Sequence, residues 1–180
     1  MVKRSTLVAL AAAAAAALFV AVAALADDGG RKGDDDQGKN RRGEDAAKIF
    51  SATLVGSQLD DPAIHGATRG GAPWVIDRGR VQLAADGHIK IQLRGLVIPI
   101  AHGTFEANTA RPVTTVNASL YCAPDSSAAA ATTVSAPISE DGDARITDDL
   151  TLPATCLAPT VLVHPNGGLT AYIALPGWRP

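Results

Sequence analysis

Aromatic residues make up only 4% of this chain, and its cysteines number two. Each scarcity narrows what the protein can be. Carbohydrate-binding surfaces are usually built on exposed aromatic platforms, so a sugar-binding module is not the favoured reading. Cys122 and Cys156 form neither a CxxC pair nor a zinc-ligand spacing, which leaves one structural disulfide as their default role. Basic clusters are missing as well. The formal net charge is -2, whereas a nucleic-acid footprint needs Lys and Arg gathered together. There is no GxSxG elbow, no HExxH and no glycine-rich phosphate loop, so three familiar catalytic scaffolds drop out by motif. Outside the first 26 residues no helix of ten residues is expected.

What is present begins with a targeting signature. Lys3 and Arg4 make a basic start, Leu7 to Ala26 carries no polar side chain, and Ala24-Leu25-Ala26 gives a small-x-small site before Asp27. Residues 1–26 therefore read as a signal peptide. The rival reading is an uncleaved anchor, because the apolar run is long enough to span a bilayer. No cysteine lies near the site, which excludes a lipid-modified N-terminal cysteine. Two cysteines behind a signal sequence suit an oxidising compartment. Residues 27–45 hold seven acidic and five basic side chains and no apolar one. That stretch cannot bury enough surface to offset its ordering entropy, so a disordered charged linker is expected. Asp34-Asp35-Asp36 lacks the alternating acids and the glycine and glutamate positions of an EF-hand loop. Arg41-Arg42 reads as part of the solvated spacer rather than as a contact to an anionic envelope polymer.

Residues 46–180 are enough for one core. They are rich in Val, Ile, Leu, Thr and Ala, with turn residues every ten or so positions. This predicts an all-β domain: a single antiparallel β-sandwich, Ig-like or jelly-roll-like, or a partly open barrel, carrying one disulfide. The clearest element is a hairpin. Val81 and Leu83 alternate with Arg80 and Gln82, and Ile89, Ile91 and Leu93 alternate with Lys90, Gln92 and Arg94. A two-residue loop of Asp86-Gly87 would set Leu83 opposite Lys90. A three-residue loop, Ala85-Asp86-Gly87, pairs Leu83 with Ile89 and Val81 with Ile91, with Gly87 left-handed.

Other strands follow the same alternation. Lys48 to Val55 places Phe50, Ala52 and Leu54 on one face. Trp74 and Ile76 have the opposite parity to Val81 and Leu83, which asks for a bulge or turn at Arg78-Gly79. Leu96 to Ile100 reads as a short apolar strand. Val113 to Cys122 sets Val116, Ala118, Leu120 and Cys122 against Thr115, Asn117, Ser119 and Tyr121. A second hairpin pairs Ile138 with Ala144 and Ala136 with Ile146 around Glu140-Asp141-Gly142, and should end or bulge before Asp148. Val161 to Val163, a turn at Asn166-Gly167-Gly168, and a strand through Leu169, Ala171, Ile173 and Leu175 complete the chain, with Trp178 expected to plug one end.

Candidate chemistry is thin. His65, His88, His102 and His164 each sit beside a turn signal at no metal spacing, and read as scattered surface residues. The best cation candidates are Asp141, Asp143, Asp148 and Asp149, for calcium; a hairpin turn accounts for Asp141 and Gly142 without a metal, and is the favoured reading. Asp60, Asp61, Asp77 and Glu106 read as loop and turn carboxylates. Asn117-Ala118-Ser119 matches a glycosylation sequon inside a predicted strand. No catalytic or cofactor-binding residue is assigned and no cofactor is required.

Phe50-x-Ala52-x-Leu54-x-Gly56-x-Gln58, with Pro62 and Gly66 following, resembles the opening of the CHRD domain, a secreted β module. The resemblance covers residues 50–66 and implies a β fold without assigning site residues. The resulting expectation is a secreted or cell-surface, non-catalytic interaction or structural module with a cell-envelope or extracellular partner. It would touch no nucleic acid, and a membrane only if residues 1–26 stay uncleaved. Two alternatives are a secreted hydrolase with a site built from the 56–73 and 102–112 loops, and a calcium-stabilised adhesion-like module.

Overall fold

A computed structural model describes residues 46–179; the expected signal peptide (1–26), its cleavage site before Asp27 and the charged linker (27–45) lie outside the described residues. No helix occurs among the described residues. The strands are β1 (Lys48–Gly56), β2 (Thr68–Arg69), β3 (Arg78–Ala84), β4 (His88–Arg94), β5 (Thr115–Tyr121), β6 (Ala131–Thr132), β7 (Ala136–Pro137), β8 (Ala144–Asp149), β9 (Thr160–Pro165), β10 (Ala171–Tyr172) and β11 (Ala174–Pro176). They run in one path, β6-β5-β9-β11-β1-β3-β4-β8, with β7 also on β5. The pairings in this path are antiparallel, while β2 and β10 form a small parallel pair beside it. The result is an all-β, curled antiparallel sheet, a half-barrel.

The curl turns on β1. Its residues from Lys48 to Thr53 pair with β3, and Leu54 to Gly56 pair with β11. A register shift between Lys48 and Phe50 adds irregularity, and such bulges increase local twist. Inward residues of β3, β4 and β8 (Val81, Leu83, Ile89, Ile91, Leu93, Ile146) therefore meet those of β5 and β9 (Val116, Ala118, Leu120, Val161, Val163) in one buried cluster. Each Val, Leu or Ile side chain among them contributes about 1.5–3 kcal/mol on leaving water.

The central hairpin has the expected register, Leu83 opposite Ile89 and Val81 opposite Ile91. Gly87 lies at φ 91° and its N–H donates to the Ala84 carbonyl at 3.0 Å. The second hairpin opens almost at once. Its loop forms as expected, and Ile138 pairs with Ala144. Ala136 then joins Val116 of β5, and Ile146 joins Ile91 of β4, so the two arms leave for different parts of the sheet. The pairing between the two arms thus ends before Asp148, as expected, and Asp148 itself pairs across the β4–β8 ladder. It stays in register opposite Ile89, half-buried, because its Oδ2 accepts the Val134 N–H at 2.7 Å.

Several expectations need correction. Thr115, Asn117, Ser119 and Tyr121 do not form a wet face. Asn117, Ser119 and Tyr121 are buried, because a second apolar cluster of Ala67, Tyr121, Leu162 and Tyr172 covers that side. Its cover is the long loop between β1 and β3, held by Ser57, Thr68 and Gly70 donating to Ile173, Thr170 and Tyr172 carbonyls. The parity change comes at the bend at Asp77, while Gly79 is already a buried β3 position. Leu96 to Ile100 makes only single bridges, Val97 with Val75 and Ile98 with Thr109. The last strand breaks into β10 and β11, and Trp178 plugs nothing: it is 81% exposed.

Cys122 and Cys156 are bonded, with Cα atoms 4.4 Å apart. Leu157 N–H also donates to the Cys122 carbonyl at 2.9 Å. The bridge thus pins the crossover from β8 to β9 onto the end of β5.

Candidate functional site

Where β1 passes from β3 to β11, the sheet leaves a cleft of about 770 Å³. Its floor comes from backbone. Gly56 carries no side chain because the Trp74 carbonyl occupies the space a Cβ would take, and Trp74 N–H donates to the Ser57 carbonyl at 2.8 Å. Gln58 fixes the same carbonyl of Trp74 through Nε2 at 2.6 Å. The buried Trp74 ring anchors this segment in the core, so the cleft edge is held on both sides of the chain.

The walls are cationic. Arg78 and Arg80 project from β3 and Arg94 from β4, all exposed, and all line the cleft with Gln92 and Asp77. Register sets Arg78 directly opposite Arg94. None of these three arginines makes an ion pair among the described residues. The C-terminal segment closes the far side. Gly177 N–H donates to the Thr53 carbonyl at 3.0 Å, Arg179 Nε donates to the Gly56 carbonyl at 3.2 Å, and Arg179 Nη2 meets Asp61 Oδ2 at 2.5 Å. Burial works to raise the Asp61 pKa, but the Arg179 hydrogen bond, the Gln58 N–H and the charges of Arg179 and Arg69 outweigh it, leaving the carboxyl below its ordinary range. Asp61 is thus a fixed anion that seats Arg179, and Trp178 is left standing at the cleft mouth. The set can hold an anion by guanidinium forks, with one aromatic face beside it.

Of the carboxylates singled out from sequence, Asp77 lines the cleft and Asp61 seats Arg179, while the four calcium candidates lie elsewhere. Asp141 sits in the 140–142 turn, Asp143 Oδ1 accepts Gly95 N–H at 3.0 Å, Asp148 holds Val134 N–H, and Asp149 pairs with His88 Nδ1 at 2.6 Å. Asp143, Asp148 and Asp149 are thus engaged with different partners, and no three His, Cys, Asp or Glu side chains among the described residues converge as cation ligands. The 56–73 and 102–112 loops do meet, with Phe105 beside Gly71. They bring no histidine to a carboxylate: His65 Nδ1 bonds the Ser126 carbonyl at 2.7 Å and its ring stacks on Tyr121 at 4.3 Å. His102 closes a tight backbone pair with Phe105.

His164 is fully buried, not a surface histidine. Its Nδ1 lies 2.7 Å from the Ala171 carbonyl, and burial holds its pKa below the ordinary value although that hydrogen bond works the other way. It faces Asn117 across the β5–β9 ladder. With Asn117 at 3% exposure, the sequon has no room for a glycan in the folded chain.

Sequence reasoning missed the cleft residues. The outward positions of the central hairpin were visibly cationic, but their meeting with Trp178 and Arg179 depends on long-range pairing that alternation does not encode. No family model matches the chain, and no curated protein or solved structure is significantly similar to it. The likeness of residues 50–66 to the CHRD opening therefore gains no extension.

Proposed function

We propose that this protein is an exported, non-catalytic binding module that captures an anionic group of a cell-envelope or extracellular partner in the arginine-lined cleft. One observation carries the reading: Arg78, Arg80 and Arg94 line a ligand-sized cleft without an ion pair among the described residues. Clefts of this volume suit small molecules or short polymer segments. The disulfide supports an oxidising destination, and residues 1–26 supply the export signal. In this reading 27–45 is a charged spacer and 46–180 the binding domain, a partly open relative of sandwich and barrel architectures. Mass spectrometry of exported protein should find Asp27 first; intact Met1 in a membrane fraction would establish an anchor instead.

The binding test uses the two tryptophans. Trp74 is buried and Trp178 exposed, so ligand in the cleft should change the emission of Trp178 alone. Titration with a galacturonate trimer or a heparin tetrasaccharide should give a saturable change that Arg94→Ala weakens at least about tenfold, the scale of one or two charge-assisted hydrogen bonds. A change that ignores Arg94 and Arg78 would overturn the assignment.

A further inference from the structure

The outward face of β1, β3, β4 and β8 continues the cleft as a cationic surface. Register places Arg78 opposite Arg94, Arg80 opposite Gln92, and Gln82 opposite Lys90; on the next strand Arg145 lies opposite Gln92 and Thr147 opposite Lys90. Arg78, Arg80, Lys90, Arg94 and Arg145 all project away from the Val81, Ile91 and Ile146 core. They are five of the nine Lys and Arg in residues 46–179, a span holding eleven Asp and Glu. The minority charge is thus gathered on one face, and none of the five is in an ion pair among the described residues.

Like charges directly opposite in a ladder destabilise the pair, so Arg78 and Arg94 oppose folding unless an anion lies between them. Asp77 lines the cleft itself, packed against Gly95, while Asp149 is held by His88 and Asp143 by Gly95 N–H at the edges. The edge carboxylates repel an anion that strays from the centre. Ser51, Thr53, Gln82, Gln92 and Thr147 fill the positions between the cations with uncharged donors and acceptors. Strands about 4.8 Å apart, and about 6.6 Å between alternate residues, give a spread of cations that suits repeated anionic groups rather than one.

Resting on the reading of the cleft as an anion site, we propose that cleft and sheet face together form a track for a linear anionic polysaccharide, with Trp178 against a sugar ring at one end. The interleaved hydroxyl and amide side chains match a hydroxyl-rich backbone. A single-stranded nucleic acid would need successive aromatic platforms for its bases, and none stands among these face positions. An anionic polysaccharide can instead be held by its charged groups through guanidinium forks, in place of the aromatic platforms whose scarcity disfavoured a sugar-binding module. A duplex would need an element that enters a groove, which a sheet face does not offer.

Surface plasmon resonance of the full chain on immobilised polygalacturonate and heparin tests this, beside solution titrations with the galacturonate trimer and heparin tetrasaccharide. At least one polymer should bind about tenfold or more tightly than its oligomer, weakening as salt rises. Arg145→Glu and Lys90→Glu should lower polymer affinity at least about tenfold and leave oligomer binding unchanged, while Arg94→Glu should weaken both; melting temperatures no lower than that of the wild type certify folding. Polymer affinity indifferent to Arg145→Glu and Lys90→Glu would overturn the track and leave the cleft standing. Failure of the wild type to bind either oligomer would remove the cleft reading and the track together. Equal binding of a single-stranded DNA oligonucleotide would overturn the polysaccharide assignment.

Discussion

Gly87 answers to two constraints at once. Its φ of 91° is left-handed, and a Cβ there would overlap the Leu150 carbonyl. The alternation around Asp86-Gly87 made the first constraint readable; the second belongs to a chain segment sixty residues on and was not. Gly87→Val should therefore cost about 2 kcal/mol or more, the strained backbone plus displacement of Leu150. Urea unfolding measures it, and a neutral result would mean the loop is not of this type. His164 gives a pH prediction. Unfolded, it takes a proton near pH 6.5; folded, its lowered pKa keeps it neutral. Below about pH 6.5 the unfolded state then binds more protons, so stability falls as pH drops, by at most about 1.4 kcal/mol per unit, until the folded pKa is passed. NMR should show the His164 ring taking its proton at a lower pH than an unperturbed histidine does, and a titration at the unperturbed value would refute it.

At the scale of elements, period-two alternation located β1, β3, β4, β5 and β8, because each has at least one apolar face, while β9 stood out as a short apolar run. It failed where both faces are covered. Asn117, Ser119 and Tyr121 look wet in sequence, yet Tyr172 and the loop from Ser57 to Gly70 lie over them. It also could not foresee that the arms of the second hairpin separate, since Ala136 and Ile146 are equally suited to pair with each other or with β5 and β4. The disulfide was legible from cysteine number and compartment. Reducing it should lower stability by roughly 3–4 kcal/mol in the chain-entropy model, and free the β8-to-β9 crossover from β5. The native protein should show no titratable thiol under denaturing, non-reducing conditions; two thiols would contradict it. The Asp61–Arg179 pair ties the C-terminal segment to the cleft. Asp61→Ala should cost about 1–2 kcal/mol, mainly by leaving Gln58 N–H unpaired, and should loosen Trp178, read as changed fluorescence anisotropy.

For the whole molecule, sequence supplied the class, an all-β chain, but not the distribution of charge. Net charge gives no hint of a basic face, because acidic loops around it cancel the total. The outward register of β3, β4 and β8 creates that face, and register between distant strands is what a single sequence conceals. Arg78, Arg80 and Arg94 were visible as the polar half of an alternation, the ordinary mark of a solvated surface. Only their place beside Trp178 and Arg179 turns them into a site. The most direct measurement of this account is a backbone amide NMR titration of the protein with a galacturonate trimer and a heparin tetrasaccharide. Saturable shifts confined to Thr53–Gly56, Trp74–Arg80, Gln92–Arg94 and Trp178–Arg179 are expected. Shifts centred instead on the 102–112 loop and His65, or no saturable shift with either ligand, would contradict it.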